Sequence, residues 1–427
     1  MRNNLNKLIL RKGVVLSGLI AFFCFRVLSD LPLPYAKTVE ILVMALSVLF
    51  VIAQLLVPYL LRQKKIKVSG LELYVFFLMT CLPIYSAWRA SDVFGQPILY
   101  GVLTQRSMLL LCFVLLMIDW MRKGLIRPEH IRDVLLFMAW CWLAFWAFMQ
   151  QFINPKIFLH DYPAIVSGGG LSGYSYKFEP ILIVFAGLYY FFCGILKRNS
   201  NDYLKALPFL LFIFLVLDKR SLSIVMPIAI VATIWFFLRK ARFVSLSMKW
   251  IVLGGFIFVV LSASAPEQVA RYFGHFQEAL SVVLTGEKAE DVSANARILQ
   301  TTIAWPYIQE NWFLGNGDLS GQWYGGYDRV MGYFYPSDIG LIGAWFVYGV
   351  LGLLIFYGQY FFILKRKSFP LDTEQKILWL SCYATIFVLF LQSFIRGGLV
   401  FVPAMSLFFI SIVYGLSFQS GYVYRKI

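Results

Sequence analysis

Long apolar runs alternate with short polar clusters along the whole chain. A bilayer core of about 30 Å needs roughly 20 apolar residues when a helix crosses it. Segments that meet or approach this length lie at 13–32, 38–61, 71–89, 98–120, 133–153, 180–196, 203–218, 221–238, 246–264, 338–364, 377–395 and 399–418. The pattern predicts an all-α polytopic membrane protein with about 12 transmembrane helices.

The basic start MRNNLNKLILRKG leads into the first apolar run. A secretory signal peptide begins in the same way, but a cleavage site of small residues follows it. We find no such site here, and many more apolar runs follow. We therefore expect residues 13–32 to form the first transmembrane helix.

Basic residues are unevenly distributed between the two sets of connecting segments. With an even number of helices and both termini on one side, that side holds 25 of the 38 Lys and Arg residues. Lys and Arg accumulate in cytoplasmic loops. The sequence therefore predicts a multi-pass protein of a bacterial inner membrane with both termini in the cytoplasm.

Two external segments are long, 154–179 and 265–336, and long loops without repeats usually carry function. We expect three regions: residues 1–264 with helices one to nine, a partly helical periplasmic loop at 265–336, and residues 337–427 with helices ten to twelve. Within the loop, 265–284 has the spacing of a helix on the membrane surface, and Ser293 suits the N-cap of a second helix.

Charge and composition narrow the classes of function. The chain is 60% hydrophobic with 14% charged residues and a net charge of +16. Because the basic residues sit between apolar runs, topology explains them better than nucleic-acid binding. The six cysteines form no CxxC and the three histidines are far apart, so we expect neither a metal site nor a cofactor.

The end of the long loop is rich in glycine and aromatic residues. Residues 312–336 contain six glycines and eight aromatics, which predicts a shaped loop rather than a regular element. Aromatic faces suit sugar rings, and Trp323 and Tyr335 are candidate sugar-binding residues. An interfacial aromatic belt is the simpler interpretation.

Charged residues of distant segments are predicted to meet at the external side. Arg220 lies in the short turn DKRS, Arg297 lies on the loop helix, and Asp338 lies where the loop returns to the membrane. Two guanidinium groups match the oxygens of a diphosphate, and a carboxylate can take a proton from a sugar hydroxyl. Further candidate binding residues are Lys177, Lys219, Arg271, Arg329 and Arg396.

Simpler roles stay open for several of these residues. Arg396 and Lys219 suit the anchoring of helix ends, and Asp338 could cap the following helix. Arg220 and Arg297 could be ordinary surface charges. Arg106 lies inside a predicted span, where a charge usually faces a cavity or a partner such as a buried carboxylate.

Three segments, with a fainter fourth, resemble the O-antigen ligase and O-antigen polymerase superfamily. They are DKRSLSIVMPIAIV, NARILQTTIAWPYIQENWFLGNGDLS and YPSDIGLIGAWFVYGVLGLL, with GYSYKFEPILIVFAG as the fainter match. The resemblance covers roughly residues 160–365 and places the family's two arginines on Arg220 and Arg297. It implies that these arginines hold the undecaprenyl diphosphate of a lipid-linked oligosaccharide, in a reaction that needs no metal.

One departure bears on the reaction. The ligases resembled carry a histidine near the loop exit, whereas Ser337 and Asp338 stand in that neighbourhood here. A polysaccharide polymerase, for O-antigen, exopolysaccharide or capsule, is therefore favoured over a ligase that transfers glycan to lipid A–core or protein. A flippase or transporter is the alternative of another class. Expected partners are the lipid-linked oligosaccharide, membrane lipids and a chain-length regulator, with no nucleic acid.

Overall fold

A computed structural model describes residues 2–31, 35–56, 68–157, 166–168, 174–217, 220–237, 263, 274, 292–364 and 372–423. Of the predicted elements, the ninth span at 246–264 and the surface helix at 265–284 fall essentially outside these residues. The description below concerns the described residues.

The described chain is almost wholly helical, as the apolar pattern predicts. Its α-helices are α1 Arg2–Cys24, α2 Val27–Asp30, α3 Ala36–Val51, α4 Gly70–Phe94, α5 Ile98–Thr104, α6 Leu111–Arg122, α7 Pro128–Phe152, α8 Ile181–Lys197, α9 Ser200–Leu211, α10 Arg220–Phe237, α11 Val292–Glu310, α12 Tyr327–Val330, α13 Gly340–Tyr357, α14 Phe361–Leu364, α15 Thr373–Ser393, α16 Gly398–Phe401 and α17 Ala404–Val423.

Short elements of other kinds connect or extend these helices. The 3₁₀ turns are Arg106–Leu110, Pro155–Ile157, Pro336–Asp338 and Gly358–Tyr360, and π-helical turns extend α3 and α9 at Ile52–Leu56 and Phe212–Val216. Two three-residue strands, β1 Val166–Gly168 and β2 Tyr174–Tyr176, pair antiparallel with Ser167 opposite Ser175. They lie in the predicted external segment 154–179.

Four described helices are long and apolar enough to cross a membrane: Gly70–Phe94, Pro128–Phe152, Gly340–Ile363 and Thr373–Ser393. The pair Ile98–Thr104 and Arg106–Arg122 would make a fifth span with a 49° bend, where the sequence predicted a span at 98–120. Several of the other apolar helices have 10 to 17 residues. The structure is therefore that of a helical membrane protein with four to five full-length spans among its described residues.

Polar residues at the helix ends explain where several spans begin. Ser69 accepts a hydrogen bond from the Glu72 backbone N–H while its own N–H donates to the Glu72 carboxylate, so α4 begins with a capping box. The Asp372 carboxylate accepts from the Gln375 N–H at the start of α15. Near these ends the Glu374 carboxylate pairs with Lys197 and Arg132, which ties α15 to α8 and α7.

Candidate functional site

The candidate site lies at one end of the helix bundle, which we call the loop end. It is formed by the first turns of α10 and α13 and the last turn of α15. The Leu341 N–H at the start of α13 donates to the Phe394 carbonyl just after α15, at 3.2 Å. Phe237, at the end of α10, packs against Tyr383 of α15 with ring centroids 4.8 Å apart. Just before α10, the Phe212 ring lies 6.2 Å from the Phe178 ring at the entry to α8, away from the Lys197–Glu374 pair. The first residue of α10, Arg220, therefore lies toward the loop end.

Helix α13 is broken, and the glycine-rich loop fills the break. Gly349 has φ 64° and ψ −176°, which interrupts the helical hydrogen bonds. The Asn316 N–H donates to the Phe346 carbonyl at 2.8 Å, and the Val350 N–H donates to the Trp312 carbonyl at 3.1 Å. The loop thus satisfies the backbone groups that the break exposes, which a buried irregular segment of a membrane protein requires.

The two glycines of the GNG motif are needed for this close packing. Gly315 and Gly317 have φ of 73° and 80°, a region that L side chains rarely adopt. A Cβ at Gly315 would overlap the Gly349 nitrogen, and one at Gly317 would overlap the backbone of Ala90 in α4. Between them Asn316 is fully buried, and its amide donates to the Phe346 carbonyl at 3.1 Å. The motif is therefore a backbone crossing between α4 and α13.

Arg89 of α4 fixes the loop from the other side. Its side chain is buried and donates to the Gly315 carbonyl at 2.9 Å and to the Asn311 side-chain oxygen at 2.8 Å. Its remaining nitrogen pairs with Asp92 at 2.5 Å. One turn earlier, the Tyr85 hydroxyl donates to the Leu314 carbonyl at 2.6 Å.

A polar network continues beneath the loop around Asp318. The Tyr327 hydroxyl donates to Asp318 Oδ1 at 3.0 Å. The Asp318 backbone N–H donates to the Ser86 hydroxyl at 3.1 Å, and Gln105 Nε2 also donates to this hydroxyl, at 2.9 Å. Burial raises the pKa of Asp318 to about 6, although hydrogen bonds from Tyr327 and Gln105 act to lower it.

Helix α11 carries Arg297 and is tied to the loop exit that carries Asp338. The Tyr335 N–H donates to Gln300 Oε1 at 3.1 Å, and Gln300 is buried. Arg297 lies one turn before Gln300 on the same side of the helix, and Asp338 ends the 3₁₀ turn that follows Tyr335. Both charged residues are exposed at this junction.

The turn with Asp338 packs on the turn with Arg396. A Cβ on Gly340 would overlap the Phe394 carbonyl, and one on Gly397 would stand 2.9 Å from the Pro336 carbonyl. The two turns are therefore in backbone contact. Arg297, Asp338 and Arg396 are all exposed, and none of them makes an ion pair with another residue that the structure describes.

The other candidate residues lie at varying distances from this junction. The Tyr335 hydroxyl donates to Asp328 at 3.2 Å, and this bond raises the pKa of Tyr335. Arg329 lies over the Tyr324 ring at 5.6 Å, and Trp323 packs edge-on against the same ring. Lys177 is exposed near the start of α8. Lys219, Arg271 and the side chain of Arg220 lie outside the described residues.

Three local expectations need correction. Arg106 lies at the bend between α5 and α6, is exposed, and donates to the Leu103 carbonyl at 3.3 Å, with no carboxylate partner among the described residues. Ser293 lies inside α11, which begins at Val292, so it is not the N-cap. Ile339 is the N-cap of α13 and no side chain caps it, so Asp338 does not have the capping role.

Several residues that build the site have no distinguishing signal in the sequence. Arg89, Tyr85 and Gln300 lie on predicted helices without a distinguishing motif, and the loop groups to which they bond are more than 30 residues away. A charged residue at the end of an apolar run was the one available signal for Arg89. Asp318 follows GNG directly, but nothing in the sequence indicates that its half-buried side chain joins this network.

A family comparison agrees with this geometry. The model of the O-antigen ligase family matches residues 206–357. Over these 152 of its 427 residues the chain is similar to that family. The matched stretch includes Arg220, Arg297 and Asp338 as well as the loop that fills the break in α13. No curated protein matches the chain.

This match confirms the resemblance to the O-antigen ligase and polymerase superfamily. It supports a function of the polysaccharide polymerase or ligase kind. The apolar helices agree with a multi-pass membrane protein.

Proposed function

We propose that the protein is a polysaccharide polymerase of the bacterial inner membrane. It transfers a growing glycan from its undecaprenyl diphosphate carrier to the terminal sugar of a lipid-linked repeat unit at the periplasmic face. The proposal rests on the junction of three segments that carry Arg297, Asp338 and Arg396. These segments are in backbone contact or one hydrogen bond apart. None of the three residues makes an ion pair with a described residue.

Each group has a distinct role in the proposed reaction. Arg220 and Arg297 hold the two phosphates of the donor, because a guanidinium keeps its charge and donates in pairs to phosphate oxygens. Asp338 accepts the proton of the acceptor hydroxyl. The hydroxyl oxygen then bonds to the anomeric carbon of the donor, and the bond from that carbon to the diphosphate oxygen breaks, so the carrier leaves as its diphosphate.

The charge of the arginines stabilises this leaving group, and no metal takes part in the proposed step. Trp323 and Tyr335 supply aromatic surface for the sugars, while Lys177, Lys219, Arg271, Arg329 and Arg396 supply positive charge around the donor. A chain-length regulator and the surrounding lipids are the proposed partners.

The proposed topology has about 12 spans, both termini in the cytoplasm and the loop end in the periplasm. Its support is the excess of Lys and Arg on one side, 25 of 38 residues under this arrangement. The pairing of Glu374 with Lys197 and Arg132 at the opposite end agrees with it, since those residues belong to predicted cytoplasmic segments.

A ligase is the second candidate, because the matching family is described as O-antigen ligase. A ligase would transfer the finished glycan to lipid A–core or to a protein instead of to another repeat. The length of glycan in a strain without this protein separates the two. Loss of a polymerase leaves single repeats, whereas loss of a ligase leaves long chains on the carrier.

The test of the mechanism is an Arg297→Ala variant expressed at the level of the parent protein. Loss of a charge-assisted contact of about 1.5–3 kcal/mol predicts a 10- to 100-fold fall in long-chain glycan on a gel. Arg297→Lys should also be impaired, because the paired donors are lost. Glu310→Ala, which removes an exposed charge from the far end of the same helix, is the matched control. Unchanged long chains in Arg297→Ala would remove Arg297 from the mechanism.

A further inference from the structure

An apolar groove lies between α4 and the part of the chain from the second half of α13 to α14. Its walls include Tyr74 and Phe77 of α4 and, on the other side, Leu354, Gly358 and Phe361. Its volume is about 330 Å³. Because a protein cavity of about 150 Å³ can hold benzene, this groove has room for about two five-carbon isoprene units.

The groove is a fixed gap between two joined segments, and it is open on one side. The Tyr74 hydroxyl donates to the Ile355 carbonyl at 2.6 Å, which holds α4 against α13. Leu354 and Phe361 are 67% and 64% exposed, so the groove opens to the surroundings of the bundle. At Gly358 a Cβ would stand 3.6 Å from the Tyr74 ring, so the missing side chain leaves part of the space free.

A stripe of exposed apolar residues follows α11 from its Arg297 end. Ile298 and Trp305 are seven residues apart, about two turns, and therefore lie on one side of the helix. Trp312 follows after another seven residues, just beyond the end of α11. Trp305 and Trp312 are 45% and 55% exposed, and the other exposed residues on this side, Thr302 and Gln309, are uncharged.

Trp345 of α13 fixes this stripe to the first half of the broken helix. Its ring lies edge-on to the Trp305 ring, with centroids 6.2 Å apart. Its indole Nε1 donates to the Trp312 carbonyl at 2.8 Å. The stripe is therefore held on α13 from the middle of α11 to the turn that follows it.

Phe313 continues the exposed surface from the stripe to the groove. Its ring lies 5.4 Å from the Trp312 ring, and its carbonyl accepts a hydrogen bond from the Leu351 N–H at 3.1 Å. Leu354, one turn after Leu351, lines the groove. An exposed and uncharged path thus runs from Ile298 along α11, over Phe313 and into the groove.

The length of the path and the charge at its start indicate what it binds. It begins beside Arg297, which is exposed and makes no ion pair with a described residue. Ile298 to Trp312 spans about 21 Å, and Leu351 to Phe361 adds about 15 Å. A phospholipid acyl chain reaches only about 15 Å, half of the hydrocarbon core. A single cation at the start of a much longer apolar path suits a polyprenyl chain with a diphosphate head.

We propose that the path from Arg297 along α11 to the groove binds the polyprenyl chain of the donor carrier. This inference rests on the proposed function, in which Arg297 holds the donor diphosphate. Because lipid is as apolar as these walls, the chain is held by close packing against the aromatic rings rather than by exclusion of water. Its far isoprene units fill the groove beside Gly358.

The test measures how ligands raise the melting temperature of the purified full-length protein in phosphatidylcholine nanodiscs. The ligands are undecaprenyl diphosphate, phosphatidylglycerol, and geranylgeranyl diphosphate, whose chain is too short to reach the groove from Arg297. The variants are Gly358→Leu, which fills the groove, and Phe361→Ala, which removes one wall. Each should need about tenfold more undecaprenyl diphosphate for half of the maximal shift, because the far units lose their contacts. The response to geranylgeranyl diphosphate should stay within about twofold of the parent protein.

Gly18→Leu and Phe137→Ala are the matched controls, on α1 and α7, away from the residues that line the groove. Gly18 is a helical glycine whose Cβ would stand 3.9 Å from the Val134 side chain, and Phe137 is an exposed ring. Both should respond to undecaprenyl diphosphate like the parent protein. A tenfold loss in these controls as well would overturn the proposal, since it would show a general effect of substitutions on the outer surface.

The remaining outcomes separate the two proposals. Equal responses of the parent, Gly358→Leu and Phe361→Ala to undecaprenyl diphosphate would overturn the path, while a loss of response to both diphosphates in Arg297→Ala would leave the proposed function standing. An equal loss with geranylgeranyl diphosphate or phosphatidylglycerol in the groove variants would overturn the assignment to a long polyprenyl chain. No response of the parent protein to either diphosphate would overturn both proposals.

Discussion

At the scale of single residues, Arg89 connects α4 to the segment that enters the break in α13. Its three donors reach Gly315, Asn311 and Asp92. Removing a buried side chain of this kind leaves the Gly315 carbonyl and the Asn311 amide oxygen without their donors.

We expect Arg89→Ala to destabilise the protein by about 2–4 kcal/mol, read as a lower melting temperature in detergent. Asp92→Asn is the control, because the Asp92 side chain is 57% exposed and an exposed pair contributes about 0–1 kcal/mol. Equal losses in the two variants would show that Arg89 acts through its ion pair rather than through the loop.

The raised pKa of Asp318 predicts a pH-dependent stability. Its pKa of about 6 in the folded protein lies above the value of about 3.9 in an unfolded chain. The folded state therefore holds an extra proton between these pH values. The contribution of the Asp318 carboxyl to the free energy of unfolding is therefore most favourable below about pH 4, and it decreases as the pH rises to about 6.

Asp318→Asn removes the charge and keeps an acceptor for Tyr327. We expect the melting temperature of Asp318→Asn to increase relative to that of the parent protein as the pH rises from about 4.5 to 7.5. The corresponding gain in the free energy of unfolding should not exceed about 3 kcal/mol. A difference between the two proteins that does not change with pH would contradict a raised pKa for Asp318.

At the scale of elements, the glycine loop and the broken helix depend on each other. Gly349 gives α13 its break, and Gly315 and Gly317 let the loop backbone approach closely enough to bond there. A helix broken within the membrane is also how transporters build substrate sites. Here the freed backbone groups are bonded to the loop, so they are not available to a solute.

Gly317→Ala should prevent the protein from accumulating in the membrane, because it combines a left-handed φ with overlap against the α4 backbone. Gly321→Ala is the matched control, since a Cβ there meets nothing within 4 Å. Blue-native gels or fluorescence-detected chromatography would measure both. Normal accumulation of Gly317→Ala would contradict the backbone crossing.

Elements with a strong apolar period were predictable, and the partners of the loop were not. The apolar run at 71–89 corresponds to α4 and that at 377–395 to α15, because each follows from local hydrophobicity. The break in α13 lay inside a continuous apolar run at 338–364. The loop backbone that bonds at the break, residues 312–317, lies more than about 30 residues before Gly349, a contact that periodicity does not report.

At the scale of the whole molecule, the proposed orientation rests on the distribution of basic residues, and the proposed periplasmic position of the site rests on that orientation. Charged residues at the loop end could be singled out in the sequence because the spans bring them to one side. The contacts that bring these residues together, through Gln300 and through the Phe394–Gly397 turn, could not be predicted because they are tertiary contacts.

Single cysteines in a cysteine-free background test this orientation. A cysteine at Thr302, which is in the exposed part of α11, should react with a membrane-impermeant maleimide in intact cells, and one at Asp372 should react only after permeabilisation. Labelling of Asp372→Cys in intact cells would reverse the topology and move the proposed site to the cytoplasm.

The most direct measurement uses the purified protein in liposomes with one lipid-linked repeat unit as the sole substrate. The account predicts a ladder of longer glycans on the carrier, with one undecaprenyl diphosphate released for each bond formed, and at least about a tenfold loss of this activity in Asp338→Asn. Transfer to lipid A–core without any ladder, or a full ladder in both Asp338→Asn and Arg297→Ala, would contradict it.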